Sequence, residues 1–582
     1  MISFDIYDTL ITRATATPKG VFVAMQERMK QDDKYRKKLS SYFLNHFYEI
    51  RCEAERYARQ QEKENGRQEI TLDLIYQMIE MHTGIGQELL LEIKELEYET
   101  EEKLTIPFTE NIDRLKAYLL KEKVVLISDM YLSEDFIRRL LIKQDPVFEK
   151  MAIYISSELN KTKSSGMLYS YVKEKEKCGT ELWVHIGDNP FSDGVMAEKM
   201  RIRTEIFHSE LTASEKGVLR EEDYSSQRII GSIRMTRLCN GKKGIPYTIG
   251  ASVGINILLP YVLWVIKTCL SSEINHLYFV ARDGWILYQI AKEIVTFYQY
   301  DLKLHYIYAS RIVWRLSDHL PEEEPNKEAL LSSENARLVR DYMLQETNAL
   351  EDGRIALVDV QGTGLSEVWL AEILPEYQIL TFFYRKSGFL QHDKVEYFVY
   401  YIAENAVGNV IETLTRALHG RTVGYCRKEE KIIPIMEDDE NVLLEEYGLQ
   451  DYFAGIMENV KCFLDVHKEE PDLEYDQISQ DYFEYISEHP EQEILGYIAD
   501  MPFSDTIDGR EVLRPFAPRL GKKYFKYRYL YRENMQDIKW GNTEYSLLRC
   551  SEQDIRCIER YKRISNTLFG KMLRWVHYRM KR

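Results

Sequence analysis

Apolar residues in this chain gather into short runs that break off at a polar or acidic residue, and the pattern recurs. Ile2-Ser3-Phe4 stops at Asp5, Val124-Val125-Leu126-Ile127 at Ser128, and Leu182-Trp183-Val184-His185-Ile186-Gly187 at Asp188. Runs of this length without helical spacing predict buried strands, and the carboxyl ends of strands in an open parallel sheet form its ligand-binding edge. Ala152–Ser156 and Arg203–Phe207 read as further strands. Between the first two motifs the period changes. Tyr42, Phe43, Phe47, Ile50 and Ala54 recur at helical spacing, as do Ile75, Ile79 and Met81, then Leu89, Ile93, Leu96 and Tyr98. Residues 14–104 are therefore expected to form a helical block inserted after the first strand. Pro107 marks the return, a helix near 110–121 precedes the Ser128 strand, and 209–227 reads as a polar connector.

The second half starts afresh. His276–Ala281 ends in Arg282-Asp283-Gly284, Leu304–Tyr308 leads to Ala309-Ser310-Arg311, Ile355–Val358 stops at Asp359, and Ile379–Tyr384 follows. Strands alternating with helices predict a second parallel α/β domain, here 228–425, ahead of a mostly helical region at 426–582.

Composition narrows the class. At 582 residues, 45% apolar and 29% charged, the chain reads as a soluble globular protein of several domains. A net charge of −17 argues against nucleic-acid binding. The eight cysteines include no C-x-x-C pair, so neither a zinc nor a disulfide framework is expected, and a reducing cytoplasm is. The first motif starts at residue 2, so no signal peptide is expected. Tyr247–Ile266 lacks charge over a membrane-spanning length, yet Gly250, Gly254, Asn256 and Pro260 interrupt it, and a buried helix is expected. At the C-terminus, Ile564, Leu568, Met572, Trp575 and Val576 share one helical face among Lys562, Arg563, Lys571, Arg574, Arg579, Lys581 and Arg582. Such a helix either packs as a terminal element or lies on an anionic membrane surface, which would make the protein peripheral at the inner face.

Asp5, Ser128, Lys163, Asp188 and Asp193, in this order and local context, resemble the haloacid dehalogenase (HAD) superfamily over roughly residues 1–210. The resemblance implies a Rossmann-like parallel core (1–13 and 105–210) with 14–104 as a helical cap. It implies Asp5 as nucleophile and Ser128 and Lys163 on the phosphoryl oxygens. It also implies Mg²⁺ held by Asp5, Tyr7, Asp188 and Asp193, a hard cation on oxygen ligands. Asp193 would alternatively orient Lys163, and Lys161 is a rival for the lysine. Phosphatases of the family carry a general acid two residues after the nucleophile, a contribution of ~10²–10⁴-fold. Here that position is Tyr7, as in the dehalogenase branch, and the acid stands one place later at Asp8. Asp129 reads as a cap for the helix near Ser133 and His185 as a core histidine. Arg51, Glu55 and Arg56 read as cap contacts to substrate or as a solvated face.

In the second half, Asp359 followed by Gly362-Thr363-Gly364 and Ser366, with Asp283 one unit earlier, can present backbone N–H groups to a phosphate. This resembles the phosphoribosyl-binding loop of type I phosphoribosyltransferases, although Val358 replaces one usual acid. The alternative is a tight turn whose glycines serve packing. The N-terminal motif combined with the Arg282-Asp283-Gly284 turn resembles bacterial predicted hydrolases met beside surface-polysaccharide genes. The expected function is thus a Mg²⁺-dependent, phosphatase-like HAD hydrolase of a small phosphorylated metabolite such as a sugar phosphate. Polysaccharide biosynthesis is its implied setting and glycan-assembly enzymes its implied partners. The alternatives are a non-hydrolysing HAD-like binding or scaffold protein, and a phosphoribosyltransferase-like transferase in the second half.

Overall fold

A computed structural model of the chain describes residues 1–179, 182–240, 243–315, 327–347, 353–386, 388, 390–402, 410–437, 442–468, 475–503, 513–532 and 543–581. The chain is α/β and divides into two compact units, Met1–Gly241 with Asp465–Pro471, and Lys242–Leu464 with Asp472–Arg582.

In the first unit, β1 (Ile2–Phe4), β4 (Val124–Ser128), β5 (Ala152–Ile155), β6 (Val184–Gly187) and β7 (Arg203–Ile206) form a parallel sheet in the order β5-β4-β1-β6-β7. β1 and β4 are buried throughout, as strands covered on both faces must be. The chain winds outward from β1 to β4 and β5, then crosses back to β6 and β7. That reversal opens a crevice at the carboxyl ends of β1 and β6.

The inserted block leaves through β2 (Ile11–Arg13) and returns through β3 (Thr105–Pro107), which pair antiparallel. Between them run the helices Gly20–Gln31, Phe47–Glu64, Leu72–Thr83 and Gln87–Leu104, with shorter ones. Phe47, Ala54, Ile75, Ile79 and Ile93 fill their core as the periodicity predicts, but Tyr42 and Met81 are exposed at 68% and 74%. Arg51 is neither a substrate contact nor part of a solvated face. It is fully buried, and its Nε and Nη2 donate to both oxygens of the equally buried Glu97 at 2.9 and 2.7 Å. The helix Tyr224–Asn240, expected to open the second domain from 228, belongs to the first unit. Its Gln227 and Arg234 bond to Thr17 and to Asp8, which ties it to the β1 end of the sheet.

The second unit carries β8 (His276–Val280), β9 (Lys303–Ile307), β10 (Arg354–Gly362), β11 (Gln378–Lys386) and β12 (Val395–Tyr401), a parallel sheet in the order β12-β11-β10-β8-β9. The winding reverses between β8 and β10. Beyond it lie an antiparallel hairpin, β13 (Thr422–Lys428) with β14 (Lys431–Met436), and then mostly helices. Ile245–Ser271 is helical, long and apolar enough to cross a membrane, and 83% of its apolar window is buried inside the unit. The last helix, Leu568–Lys581, leaves Leu568 84% and Trp575 57% exposed, with the Arg579 guanidinium 4.4 Å from the Trp575 ring. The Lys581 side chain and Arg582 lie outside the described residues.

Candidate active site

Asp5 follows β1 directly, and its N–H donates to Ile186 O of β6 (2.8 Å), which fixes it beside the Gly187-Asp188 end. Ser128 closes β4, 2% exposed. Lys163 comes from the loop between β5 and the helix Met167–Glu176. That loop is shaped by Asp129, whose carboxylate accepts from the N–H groups of Lys163 (2.8 and 3.0 Å) and Ser164 (3.4 Å). Asp129 therefore caps the lysine loop. The helix near Ser133 is capped by Ser133 itself, whose Oγ accepts from Phe136 N–H. Lys161, the rival lysine, points its ammonium toward Leu159 O and the Tyr171 ring.

The Lys163 ammonium, 2% exposed, stands 2.9 Å from Asp5 Oδ1 and 2.6 Å from Asp193 Oδ1. Carboxylate oxygens of Asp5, Asp188 and Asp193 all lie within 4.8 Å of one another. Gly187 is required for this closeness, since a Cβ there would sit 2.5 Å from the Asp193 carboxylate. Asn189 shapes the turn that presents Asp193. Its side-chain oxygen accepts from Phe191 and Ser192 N–H, and its own N–H donates to Asp193 Oδ2 (3.0 Å).

Burial opposes ionisation at all three acids, and the neighbours then separate them. Burial, only partly offset by Lys163, pushes Asp5 up to about 6. Burial plus the charges of Asp5 and Asp8 pushes Asp188 up to about 8. Asp193 is buried too, but Lys163 and His185 hold it well below the carboxylate range. Lys163 is raised well above the usual lysine value, because Asp193 and Asp5 outweigh its desolvation. Asp193 is thus the permanent anion that anchors Lys163, and its oxygens are already engaged by Lys163, His185 and Asn189. Asp5 and Asp188 are the carboxylates short of positive charge. Two such carboxylates in a crevice fit a hard divalent cation, which takes one or two carboxylates and completes its shell with water. The Tyr7 ring lies under the Arg13 guanidinium (4.0 Å), itself bonded to Glu101.

His185 is a core histidine, fully buried, and it carries a polar relay. Trp183 Nε1–H donates to Ser3 Oγ (2.7 Å), Ser3 Oγ pairs with His185 Nδ1 (2.8 Å), and His185 Nε2 pairs with Asp193 Oδ1 (3.1 Å). Indole N–H only donates. Ser3 therefore accepts from Trp183; the Asp193 carboxylate, held ionised, only accepts, so His185 Nε2–H donates to it and in the neutral imidazole Nδ1 accepts from Ser3 Oγ–H. Ser3 and His185 are direct register partners on β1 and β6. The sequence shows both inside apolar runs, and their alternation along paired strands is the signal that could have linked them.

Asp8 does not stand free as a substitute acid. Arg234 Nη2 (2.7 Å) and Thr12 Oγ1 (2.6 Å) both donate to its Oδ1, and Arg234 holds it below the usual range against its burial. The inserted block closes on the lysine loop. Thr162 N–H and Ser165 Oγ donate to Gln68 Oε1, and Gln68 N–H donates to Asn160 Oδ1.

In the second unit, a cavity of about 120 Å³ at the carboxyl edge is lined by Asp283, Asp359 and Ser366 but not by Gly362, Thr363 or Gly364. The turn glycines meet aromatic rings instead. A Cβ on Gly362 would lie 2.9 Å from Phe383, and one on Gly364, at φ +81°, 2.3 Å from the Tyr397 hydroxyl.

Known structures offer a limited likeness. Two crystal structures of dehalogenases, one with an intermediate complex, align at 11% identity. They cover 36% of this chain and 85% and 84% of their own, with TM-scores of 0.26 and 0.25. No protein-family model matches the chain, and no curated protein does.

Proposed function

We propose that the first unit is a divalent-metal-dependent HAD-type hydrolase that takes a phosphoryl group from a small phosphorylated metabolite, such as a sugar phosphate. The observation that carries this reading is the single ammonium of Lys163 bridging Asp5 and Asp193 beside the Asp188 carboxyl, at the point where the sheet reverses. Asp5 is positioned to attack phosphorus. Its new O–P bond forms as the bond to the leaving oxygen breaks, and water then attacks the acyl-phosphate and releases phosphate and free Asp5. With its carboxyl pushed up to about 6, Asp5 is mostly ionised at neutral pH and remains a more basic nucleophile than an exposed aspartate. Lys163 opposes the charge on the phosphoryl oxygens, and Ser128 at the β4 end is placed to bond to one of them. Asp5 and Asp188 would hold a Mg²⁺, with the Tyr7 carbonyl as a further oxygen ligand, and the ion would supply the remaining positive charge.

Proton delivery to the leaving group is the weak step. Tyr7 is buried against Arg13 and Glu101, and Asp8 is neutralised by Arg234. The preferred substrates are therefore those whose leaving oxygen departs without a proton, such as anomeric or aryl phosphates. Exposed Leu568, Met572 and Trp575 beside Lys571 and Arg579 support a peripheral contact with an anionic membrane, consistent with work on lipid-linked glycans. A phosphatase screen over a metabolite panel, run with Mg²⁺ and an Asp5→Asn control, tests the reading. Turnover confined to wild type supports it. Equal turnover in both proteins, or none at high enzyme concentration, removes it.

A further inference from the structure

The second sheet repeats the topological device of the first. β8 leads to β9 on one side, and the chain then returns across β8 to β10, β11 and β12. The crevice beyond the carboxyl ends of β8 and β10 is the place where open α/β sheets bind ligands. The cavity of about 120 Å³ lies there, its wall made by residues just past β8, just past β9 and at the end of β10. Its chemistry is unusual for a structural void. Arg282, Arg311, Arg416 and Arg421 all line it. Arg416 and Arg421 are 4% and 9% exposed, and Glu437 holds Arg421 in place through a pair of bonds at 3.1 and 2.8 Å. Four arginines on the wall of one small space can supply the planar, multi-donor recognition of phosphoryl oxygens.

Three carboxyl groups share the same wall, Asp283, Asp359 and Glu412. Burial, with the charges of Glu367, Asp283 and Glu412, holds Asp359 well above the carboxylate range. Inorganic phosphate alone would find those acids repulsive. A ligand that carries hydroxyl groups beside its phosphate can donate to further carboxyl oxygens on that wall. The cavity wall thus divides the labour, with arginines for the anion and carboxyls for the hydroxyls.

We propose that this cavity is a second, metal-independent binding site for a phosphorylated sugar, with Arg282, Arg311 and Arg416 on the phosphate and Asp283 and Glu412 on the sugar hydroxyls. It lies wholly in the second unit and does not depend on the hydrolytic reading of the first. Arg311 is the exposed member of the set.

The test is isothermal titration of the full chain carrying Asp5→Asn, in EDTA, so that neither turnover nor metal-assisted binding at the first site contributes. Glucose 1-phosphate, inorganic phosphate and glucose are the probes. Saturable binding of glucose 1-phosphate near one per chain is expected, at least about tenfold tighter than inorganic phosphate, with none for glucose. Arg311→Ala, at an exposed position, is expected to weaken it about tenfold or more. Asp283→Asn is expected to weaken glucose 1-phosphate but to tighten inorganic phosphate, whose repulsion it relieves. No heat at 10 mM of any phosphate probe, or unaltered affinity in Arg311→Ala, would overturn the site. Equal affinity for glucose 1-phosphate and inorganic phosphate would overturn the sugar assignment.

Discussion

Ser3→Ala is the smallest change that interrogates the polar relay behind the site. Ser3 is fully buried, and its Oγ serves Trp183 Nε1 at 2.7 Å and His185 Nδ1 at 2.8 Å. Removing one oxygen leaves a buried donor and a buried acceptor unpaired, at ~1–3 kcal/mol each. Partial relaxation brings the expected loss to about 2–4 kcal/mol. Hydrogen exchange of β1 and β6 amides reads the opening free energy of this unit separately from the second. A cycle with Trp183→Phe isolates the bond. With the indole donor already gone, Ser3→Ala strands only His185, so its cost falls by about 1 kcal/mol. The same variant frees Nδ1 to change tautomer, which weakens the His185 bond to Asp193 and loosens Lys163. A loss in Ser3→Ala below about 0.5 kcal/mol, or strict additivity in the cycle, would refute the relay.

The buried Arg51–Glu97 pair gives a sharper stability test: Glu97→Ala should cost about 3–5 kcal/mol by stranding a guanidinium, while Arg51→Met with Glu97→Leu recovers most of it in urea denaturation. Asp5 and Asp188 have folded values raised to about 6 and about 8, above 3.8 when unfolded. Their contribution is therefore fully present below pH 3.8 and is lost as pH rises through 6 and 8, so Tm in EDTA should fall across that window. Added Mg²⁺ should raise Tm more at pH 8 than at pH 5.5, and a pH-independent increment would contradict this. Asp8→Asn should lower kcat on an alkyl phosphate, whose leaving oxygen needs a proton, less than about tenfold, because an ionised, Arg234-bound Asp8 has no proton to give; a loss of ~10²-fold or more would restore it as the acid. Sedimentation with anionic vesicles should fall when Trp575→Ser and Leu568→Ser are combined, and indifference to vesicle charge would exclude the peripheral contact.

The strand ends were legible because a buried parallel strand needs an unbroken apolar run and a polar residue at the open edge interrupts it. Asp5, Ser128 and Asp188 satisfy both conditions within a few residues. What stayed hidden depends on distant partners. Asp8 is claimed by Arg234, on a helix that the polarity of the preceding connector had assigned to the next domain. Arg51 sits at a charged position of an amphipathic helix, and nothing local distinguishes it from Arg56, which is exposed and paired with Glu53. The Gly362-Thr363-Gly364 turn offered a phosphate loop by composition, but Phe383 and Tyr397 on the neighbouring strands occupy the space those glycines leave. The arginines of the second cavity are spread from Arg282 to Arg421 and form no motif. β12 went unread because Glu396 interrupts an otherwise strand-like run at the sheet edge.

Turnover of p-nitrophenyl phosphate by wild type and Asp5→Asn, each with Mg²⁺ and with EDTA, bears most directly on one phosphoryl-transfer site built from Asp5, Lys163, Asp188 and Asp193. Phosphate release by the wild-type protein with Mg²⁺, and by neither the variant nor the chelated enzyme, is the predicted result. A rate that survives Asp5→Asn would contradict it.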